Sequence, residues 1–370
     1  NFCQIKISKV KNLKNQSKRH YSFVSCRGGQ TDLNKIGLIS DSTSPSLPLM
    51  KISAFHKNKG DSVKLVDDFS EKFDLLYVSK TFNLNLKKIS DLSTLPPADK
   101  IIFGGSGYAI EVVDGREIYT KEKDKNLPLE IENIFPDYSL YGNLSKNTAC
   151  GFLSRGCPNN CEFCIVSKKD GRCSRKVADL SSFWDKQKEI KIFDPNLLAC
   201  KNREELLLQL AESRASIEFT QGLDARFITD DTAKLICKSK IKMVHFAFDL
   251  MKNEKPILNG LKIFANHFKK DSRSKRVYIL TNYNTTLQED WYRVKRVKEL
   301  GYSPYVMIYQ KGTHPRFLTD LSRWSNNMFL FQAMEFEDYI PRKDGLSVKQ
   351  LYPDIFELRP LVLLRSSGFA

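Results

Sequence analysis

Residues 149–164 read Ala-Cys-Gly-Phe-Leu-Ser-Arg-Gly-Cys-Pro-Asn-Asn-Cys-Glu-Phe-Cys, and this stretch carries the strongest signal in the chain. Its first part, Ala149 to Ser154, predicts a strand, and three cysteines follow with the spacing Cys-x3-Cys-x2-Cys. Thiolates are preferred ligands of iron–sulfur clusters, and short spacings let one loop surround a small cluster. Three thiolates on four irons leave one iron without a protein ligand, and such an open position can bind a substrate or a cofactor. The sequence therefore predicts a 4Fe–4S cluster on Cys157, Cys161 and Cys164.

Two other interpretations of the cysteines stay open. A structural zinc ion needs four ligands, and Cys150 or Cys173 could supply the fourth, although neither has the spacing usual in zinc fingers. Buried cysteines can also cluster by chance. The other thiols, Cys26, Cys200 and Cys237, lack cluster spacing and are predicted to be packing or incidental residues.

The second half of the chain alternates between strand and helix signals. After the cysteines, strands are predicted at Glu189–Phe193, Ser216–Gln221, Lys242–Phe248, Arg276–Thr281 and Tyr305–Tyr309. Helical patterns occur at Leu180–Lys188, Asn202–Arg214, Thr229–Lys238, Lys252–Phe268 and Leu287–Leu300. Six β/α units in a row predict a TIM-like partial barrel over residues 147–311, with functional residues on the loops at the carboxyl ends of the strands.

The first part of the chain predicts a smaller α/β domain over residues 35–110. Strand signals occur at Ile36–Ser40, Val63–Val66, Phe73–Val78 and Lys100–Phe103, with a helical pattern at Leu49–Lys59. This alternation implies a Rossmann-like, doubly wound parallel sheet. Residues 111–146 contain a charged stretch and scattered Pro and Gly, and are predicted to be a linker. Residues 312–370 are predicted to form a helical C-terminal extension that caps the barrel.

Composition narrows the class of protein. The chain has 370 residues and a formal net charge of +16, which favours acidic partners, including nucleic acid. The basic residues are spread along the chain, so lysines that merely solvate the surface are the plainer explanation. Residues 1–34 are predicted to be a flexible basic leader, with a nucleic-acid-binding arm as the alternative. With no membrane-length apolar run, no secretory signal and clustered cysteines, we expect a cytoplasmic protein without membrane contact.

Polar side chains follow the predicted strands of the second half, where they would point into the mouth of a barrel. The candidate cofactor-binding residues of this kind are Asp194, Asn196, Gln221, Asp224, Arg226, Asp249 and Asn282. Arg226 suits bidentate pairing with a carboxylate, and Gln221, Asp224 and Asp249 can accept from hydroxyl or amino groups. Each has a plainer alternative in a cap or loop hydrogen bond.

The cysteine spacing, with Phe163 directly before the last cysteine, resembles the hallmark of the radical S-adenosylmethionine superfamily over roughly residues 149–310. The resemblance implies that the open iron chelates the amino and carboxylate groups of S-adenosylmethionine. It also implies that one electron cleaves this cofactor to methionine and a 5′-deoxyadenosyl radical, which abstracts hydrogen from substrate. Phe163 would pack against the adenine, and an electron donor such as flavodoxin or ferredoxin would be a partner. A small molecule, a peptide and an RNA all stay open as the substrate.

The small first domain is similar to that of the superfamily members with a cobalamin-binding-like N-terminal domain. The Asp-x-His-x-x-Gly motif of those members is absent, and His56 is predicted to be an ordinary, partly exposed residue. Residues 104–107 resemble the glycine-rich end of that domain, so cobalamin binding without a histidine ligand stays open. The superfamily's Gly-Gly-Glu is also absent after the second barrel strand, where residues 194–196 read Asp-Pro-Asn.

Two further hypotheses remain. The chain could be a non-catalytic nucleic-acid-binding protein stabilised by zinc or an iron–sulfur cluster. That hypothesis predicts no cofactor cleavage and salt-dependent binding of nucleic acid. Alternatively, the missing Gly-Gly-Glu could mark a family member that keeps the cluster but has lost turnover.

Overall fold

The computed structural model describes residues 33–42, 44–81, 95–113, 116–310 and 312–356. From Asn34 onward the described residues belong to one compact unit. The predicted leader, residues 1–34, lies almost entirely outside the described residues, and so does the end of the predicted C-terminal extension, residues 357–370.

The N-terminal sheet has four parallel strands in the order β2-β1-β3-β4. They are β1 (Lys35–Ser40), β2 (Ser62–Leu65), β3 (Phe73–Ser79) and β4 (Ala98–Gly104). Helix α1 (Leu47–Asn58) connects β1 to β2 and carries Pro48 in its first turn, where the missing N–H is tolerated. The predicted parallel α/β sheet is confirmed. Its strand order reverses between β1 and β3, as in doubly wound sheets, and α1 is the one helix that the described residues place in its connections.

The stretch predicted as a linker, residues 111–146, contains short elements. These are the antiparallel hairpin of β5 (Ile110–Val113) and β6 (Arg116–Tyr119), and helix α2 (Leu129–Glu132). Ile131 of α2 is buried in one apolar cluster with Leu49 and Ile52 of α1. Part of this stretch is therefore packed against the N-terminal sheet domain.

The first strand of the larger sheet lies just before the three cysteines of the predicted cluster. Strand β7 (Thr148–Gly151) is followed by β8 (Ser154–Arg155), helix α3 (Val166–Lys169) and β9 (Arg175–Lys176), with β8 and β9 paired antiparallel. Five strands then join β7 in chain order: β10 (Glu189–Ile192), β11 (Ser216–Leu223), β12 (Lys240–Ala247), β13 (Lys275–Thr281) and β14 (Ser303–Ile308). All neighbouring pairs are parallel. Within the described part of the chain, β7 and β14 do not pair, so no closed barrel is observed.

Four predicted helices of this half are confirmed with small shifts at their ends. They are α4 (Arg203–Ser213), α5 (Asp230–Cys237), α6 (Glu254–His267) and α7 (Leu287–Glu299). Helix α7 begins with a capping box between Thr286 and Glu289, which satisfies two backbone N–H groups that the helix leaves free.

The predicted helix Leu180–Lys188 is wrong, because the structure has only a 3₁₀ turn at Leu180–Ser182. The Trp184 indole N–H donates to the Gln187 carbonyl at 3.0 Å. Lys186 has a φ of 65°, a left-handed conformation that a right-handed helix cannot contain. A local loop interaction therefore replaces the helix that the apolar spacing indicated.

The C-terminal part is helical, as predicted, up to residue 356. Its helices are α8 (Arg316–Asn326), α9 (Met328–Ala333), α10 (Val348–Leu351) and α11 (Pro353–Phe356). Trp324 of α8 is fully buried against Trp291 of α7 and Phe336. Across the described ranges, none of the helices is long and apolar enough to cross a membrane.

A fully buried ion pair holds α7 against the carboxyl ends of β12 and β13. Arg293 and Asp290 pair with each other, and neither side chain is exposed. The Arg293 guanidinium also donates to the carbonyl oxygens of Phe248 and Asp249 at 2.8 and 2.9 Å, and to that of Leu280 at 2.9 Å. A buried charge is stable only when such partners replace water. Arg293 therefore fixes the strand ends from which two functional loops emerge.

We expect Arg293→Leu to lower the free energy of unfolding by about 3–5 kcal/mol, because it leaves Asp290 as an unpaired buried charge. Urea unfolding followed by circular dichroism measures this loss. Arg296→Leu, on the same helix, is the matched control: it removes only a half-exposed pair with Glu299 and should cost about 1 kcal/mol or less. Equal losses in the two variants would contradict this role of Arg293.

Candidate functional site

The three cysteines of the predicted cluster lie on one loop, residues 156–165, which we call the cysteine loop. It leaves β8 and contacts residues that follow β10, β11 and β13, so it lies at the carboxyl-end edge of the larger sheet. Cys157, Cys161 and Cys164 are free thiols, and each is partly buried.

Gly156 fixes the start of the cysteine loop. Its φ is +90°, and a Cβ at this position would lie 2.2 Å from the Cys173 carbonyl oxygen. The next residue, Cys157, donates its N–H to the Gly171 carbonyl at 3.1 Å. Only glycine tolerates both this backbone conformation and this close approach. The loop therefore turns out of β8 directly against residues 171–173.

Cys161 and Cys164 are held in their protonated form when nothing binds them. Burial raises the pKa of Cys161 to about 11, and the neighbouring Cys164, Asp249 and Cys157 add to this effect, whereas Arg226 opposes it. Burial also raises the pKa of Cys164. Metal ligation needs thiolates, so binding at this loop must release protons and is favoured by high pH.

The part of the chain that the structure describes contains no group of three His, Cys, Asp or Glu side chains arranged to hold a single metal ion. The three thiols are therefore not a preformed single-ion site. One polar partner of these thiols is Asn196, whose side-chain amide donates to the Cys157 sulfur at 3.5 Å.

Asp224, after β11, links the cysteine loop to the sheet. Its carboxylate accepts from Nε and Nη2 of Arg226 at 2.8 and 2.7 Å. It also accepts from the side-chain amides of Asn159 and Asn196 at 3.0 and 3.2 Å. Burial alone would raise the pKa of Asp224, but the hydrogen bonds from Arg226 and Asn159 outweigh it and hold this pKa below its usual range. The carboxylate is therefore charged and shared among three strand-end loops.

Asp194 occupies a different environment from Asp224. Its carboxylate accepts from the backbone N–H groups of Leu153 and Ser154 at 2.8 and 2.5 Å, and from the Ser154 hydroxyl at 2.6 Å. Burial raises the pKa of Asp194 to about 7 despite these hydrogen bonds. The Asp194 side chain thus links the end of β10 to the segment that leads into β8.

Asp249 and Asn282 mainly bind backbone groups of neighbouring strands. Asp249 accepts from the Leu280 N–H at 2.9 Å, and burial raises the pKa of this carboxyl group. The Asn282 side chain donates to the Tyr309 carbonyl at 2.8 Å. Asp249 is near enough to the cysteine loop for its charge to raise the pKa of Cys161 further.

Phe163 and Glu162 attach the second half of the cysteine loop to residues after β13. The Phe163 and Tyr283 rings meet edge to face with their centroids 5.0 Å apart. The Tyr283 hydroxyl donates to the Glu162 carboxylate at 2.9 Å. The cysteine loop therefore reaches from the first strand of the sheet to the fifth.

Gln221 stands apart from the other candidates. It is exposed on β11, and its side chain has no hydrogen-bond partner among the residues that the structure describes. Beside the cysteine loop, an open cleft of about 390 Å³ is lined by Asn160, Cys161, Glu162, Ser167, Lys168 and Arg172. This volume is within the range of small-ligand sites.

The prediction that His56 is partly exposed is wrong. Its side chain is buried, with Nδ1 2.6 Å from the Asp61 carboxylate and Nε2 3.0 Å from the Tyr77 hydroxyl. Both ring nitrogens are thus engaged within the N-terminal sheet domain. The glycine-rich turn after β4 packs on the backbone of Lys80, to which Gly107 donates its N–H at 2.9 Å.

Sequence reasoning missed Asn159, Glu162 and Tyr283 as site residues. Asn159 and Glu162 lie between the predicted cysteine ligands, and Tyr283 directly follows Asn282. The sequence could have indicated them by position, because two lie in the loop of the predicted ligands and the third lies at a strand end. Polar groups at such positions must find partners at the same edge of the sheet.

Comparison with protein-family models and with curated proteins finds no match to this chain.

We expect Gly156→Ala to destabilise the protein by at least about 2 kcal/mol, because the added methyl group meets the Cys173 carbonyl in a backbone conformation that alanine avoids. Gly345→Ala is the control, since Gly345 has a similar φ of +77° with nothing within 4 Å of an added Cβ. It should lose only about 1 kcal/mol. If urea unfolding gives the same loss for both, the close contact at Gly156 is not what fixes the loop.

Proposed function

We propose that this chain is a radical S-adenosylmethionine enzyme whose 4Fe–4S cluster is bound by Cys157, Cys161 and Cys164. The observation that carries the proposal is the position of the cysteine loop. It lies at the carboxyl-end edge of a parallel β/α sheet and is hydrogen-bonded to loops from three other strands. That edge is where such folds bind ligands and perform chemistry.

The donor set fits an iron–sulfur cluster. Three soft sulfur ligands on one loop suit iron. Among the described residues, these thiols are not arranged to hold a single metal ion, and a four-iron cluster is larger than one ion. The amide of Asn196 donates to the Cys157 sulfur, a contact of the kind that tunes cluster potentials. A cluster bound here would supply the electron that cleaves S-adenosylmethionine to methionine and a 5′-deoxyadenosyl radical.

Arg226 is the best-supported cofactor-binding residue, and Asp224 holds its guanidinium in place. The hydrogen bonds with Asp224 raise the pKa of Arg226, and negative charge at Cys161 and Cys157 would add to this effect, so the guanidinium lies close enough to the thiols to offset such charge. Arg226 uses Nε and Nη2 for Asp224 and Asn159. Its Nη1 has no hydrogen bond to the described residues and is available to a carboxylate such as that of S-adenosylmethionine.

The other predicted contacts fall into two groups. Asn196 and Asp249 lie beside the thiols and are proposed to orient the cofactor or the cluster. The side chains of Asp194 and Asn282 are hydrogen-bonded to backbone groups, so we propose that they position loops rather than touch the cofactor. Phe163 keeps its proposed role beside the adenine, with Tyr283 as a support for its ring.

The partial-barrel fold is part of the proposal. The larger sheet has six parallel strands in chain order, which is the strand order that a six-unit partial barrel requires. The contact of Phe163 and Glu162 with Tyr283 supports a curved sheet, because it joins loops that follow the first and fifth strands. We do not propose His56 as a cobalt ligand, since both of its ring nitrogens already have partners, and cobalamin binding without a histidine ligand stays a prediction. Free thiols at every described cysteine support the reducing cytoplasm expected from cysteine usage.

Anaerobic reconstitution with iron and sulfide is expected to give about four irons per chain, as one cluster requires. Reduction with dithionite in the presence of S-adenosylmethionine should then yield 5′-deoxyadenosine, detected by chromatography. Cys161→Ala should lose both the cluster and the product, because two thiolates do not hold four irons.

Cys173→Ala is the matched control, since Cys173 is an exposed cysteine in the segment just after the loop. It should keep iron and product. A cluster without product would favour a member that has lost turnover. Tightly bound zinc without iron would overturn the enzyme proposal and favour the metal-stabilised nucleic-acid-binding alternative.

A further inference from the structure

The larger sheet buries one face under its helices and carries polar side chains on the other. Phe219, Val244 and Val277 of its strands lie in one buried apolar cluster with residues of α4 to α7. Successive residues of a strand point to opposite faces, so the neighbours of these apolar residues lie on the face away from the helices, which we call the inner face. Polar residues that alternate in this way with members of the cluster include Lys191, Glu218, His245, Arg276, Tyr278 and Tyr305.

Arg276 is a cation of the inner face that lacks an acceptor. Its guanidinium lies over the Tyr305 ring, with Cζ 5.5 Å from the ring centroid. Among the residues that the structure describes, Arg276 has neither an ion pair nor a hydrogen bond, and its Nε is buried. A buried donor without an acceptor costs free energy, because the water that it has lost is not replaced. Arg276 is therefore suited to an acceptor that comes from outside the chain.

His245 presents an unused lone pair next to Arg276. The two residues are direct partners in the register of β12 and β13. His245 Nδ1 is 2.7 Å from the Phe219 carbonyl oxygen. Since a carbonyl oxygen only accepts, Nδ1 carries the proton, and Nε2 has the lone pair of the neutral ring. Burial lowers the pKa of His245, and the charge of Arg276 lowers it further, which favours this neutral form. Nε2 has no partner among the described residues.

Two tyrosines fix the geometry of this pair. The Tyr278 ring stacks on His245, with centroids 4.9 Å apart and planes 3° apart, and its hydroxyl donates to the Thr220 carbonyl at 2.9 Å. Tyr305 meets Tyr278 edge to face at 5.8 Å, and the Tyr305 hydroxyl has no partner in the described part of the chain. A guanidinium, an imidazole lone pair and a phenol are thus held in one cluster, and each of them can bind a ligand.

We infer that the inner face binds the substrate, a small molecule with one carboxylate or phosphate group and a neighbouring hydroxyl or amino group; that this ligand is the substrate rests on the proposed function. Arg276 binds the oxyanion through its N–H donors, and Nε2 of His245 accepts from the hydroxyl or amino group. The Tyr305 hydroxyl donates to the same anionic group.

The inner face leads to the cysteine loop along β12. Asp249 follows His245 by four residues, a separation of about 13 Å along an extended chain. The charge of Asp249 raises the pKa of Cys161, so Asp249 lies beside the thiols. This distance leaves space for a cofactor between the ligand on the inner face and the cysteine loop.

The charges of the sheet match one anionic group rather than a nucleic acid. Lys191 pairs with Glu218 at 3.8 Å, and Lys242 of β12 pairs with Glu189 of β10 at 2.7 Å. These pairs offset one another and leave Arg276 as the unpaired charge. Nucleic-acid backbones are bound by several cations at once, and Glu218 would repel additional phosphates. RNA therefore enters the experiment as the competing ligand.

The test follows the histidine rings of the full chain by nitrogen-15 NMR, before any iron is added. The probes are glycerate, which has a carboxylate beside a hydroxyl, and glycerol 3-phosphate, with glycerol as the uncharged reference. His245→Gln assigns the His245 signals. Arg276→Gln removes the charge of Arg276, and Arg276→Lys keeps it. Lys242→Gln is the matched control, because it removes a cation of the same sheet that is already paired with Glu189.

We expect His245 of the free protein to carry its proton on Nδ1, and its Nε2 signal to move when glycerate or glycerol 3-phosphate is added but not when glycerol is. Arg276→Gln should weaken the affinity about 10-fold, because it removes charged donors from the anion. Arg276→Lys should lose less, and Lys242→Gln should match the wild type. Tighter binding of glycerate assigns the site to a carboxylate, and tighter binding of glycerol 3-phosphate assigns it to a phosphate.

An Nε2 signal that neither anion moves would overturn the inference, and so would equal affinities in the wild type and Arg276→Gln. An RNA oligonucleotide that moves this signal when the two small anions do not would also overturn it. These titrations need no cluster, cofactor or reductant. Absence of 5′-deoxyadenosine from the reconstituted, dithionite-reduced wild type would therefore refute the proposed function, while the titrations would still decide whether the inner face binds an anion.

Discussion

The Asp224 carboxylate, only 8% exposed, accepts hydrogen bonds from residues on three separate loops. Asn159 comes from the cysteine loop, Asn196 follows β10, and Arg226 follows β11. Burying a carboxylate is costly unless charged and polar donors replace its water, and here they do so well enough to lower its pKa. Asn196 extends the same network to the Cys157 sulfur. The positions of the first thiol, the arginine and the sheet edge are thus coupled through one charged group.

This network exists because parallel strands end at the same edge. Loops that are distant in sequence meet there, and their polar groups must pair with one another. Two buried acids secure the strand ends behind the site: Asp194 binds the N–H groups that lead into β8, and Asp290 holds Arg293 against β12 and β13. The cysteine loop can therefore be short and still have a defined shape. The proposed iron chemistry requires such a shape, because one open iron must face the cofactor while three ligands stay fixed.

Much of the fold follows from periodicity. The strands and most helices of both sheets were predictable, because short apolar runs mark buried parallel strands, as in β1, and apolar residues at helical spacing mark the helices. The helix at 180–188 was not, because a Trp184 side-chain hydrogen bond and a left-handed Lys186 are local events that apolar spacing does not encode. The burial of His56 was missed for a similar reason, since its partner Asp61 lies in the segment after α1 and its partner Tyr77 lies on β3.

The site was predictable as a set of positions but not as a set of contacts. Strand-end reasoning named Asp194 and Asp224 equally, yet one faces backbone donors and the other faces Arg226 and Asn159. That difference depends on the path of the neighbouring loops, and the sequence around one strand does not reveal that path. Cysteine spacing, by contrast, needs no tertiary information, because the ligands and the loop that carries them are contiguous.

The most direct measurement is electron paramagnetic resonance of the reconstituted, dithionite-reduced protein before and after addition of S-adenosylmethionine. We expect the signal of a reduced 4Fe–4S cluster whose g-values change on addition, because the cofactor would bind the iron that has no protein ligand. A cluster signal that S-adenosylmethionine leaves unchanged would contradict the open iron at Cys157, Cys161 and Cys164, and so would a protein that takes up no iron.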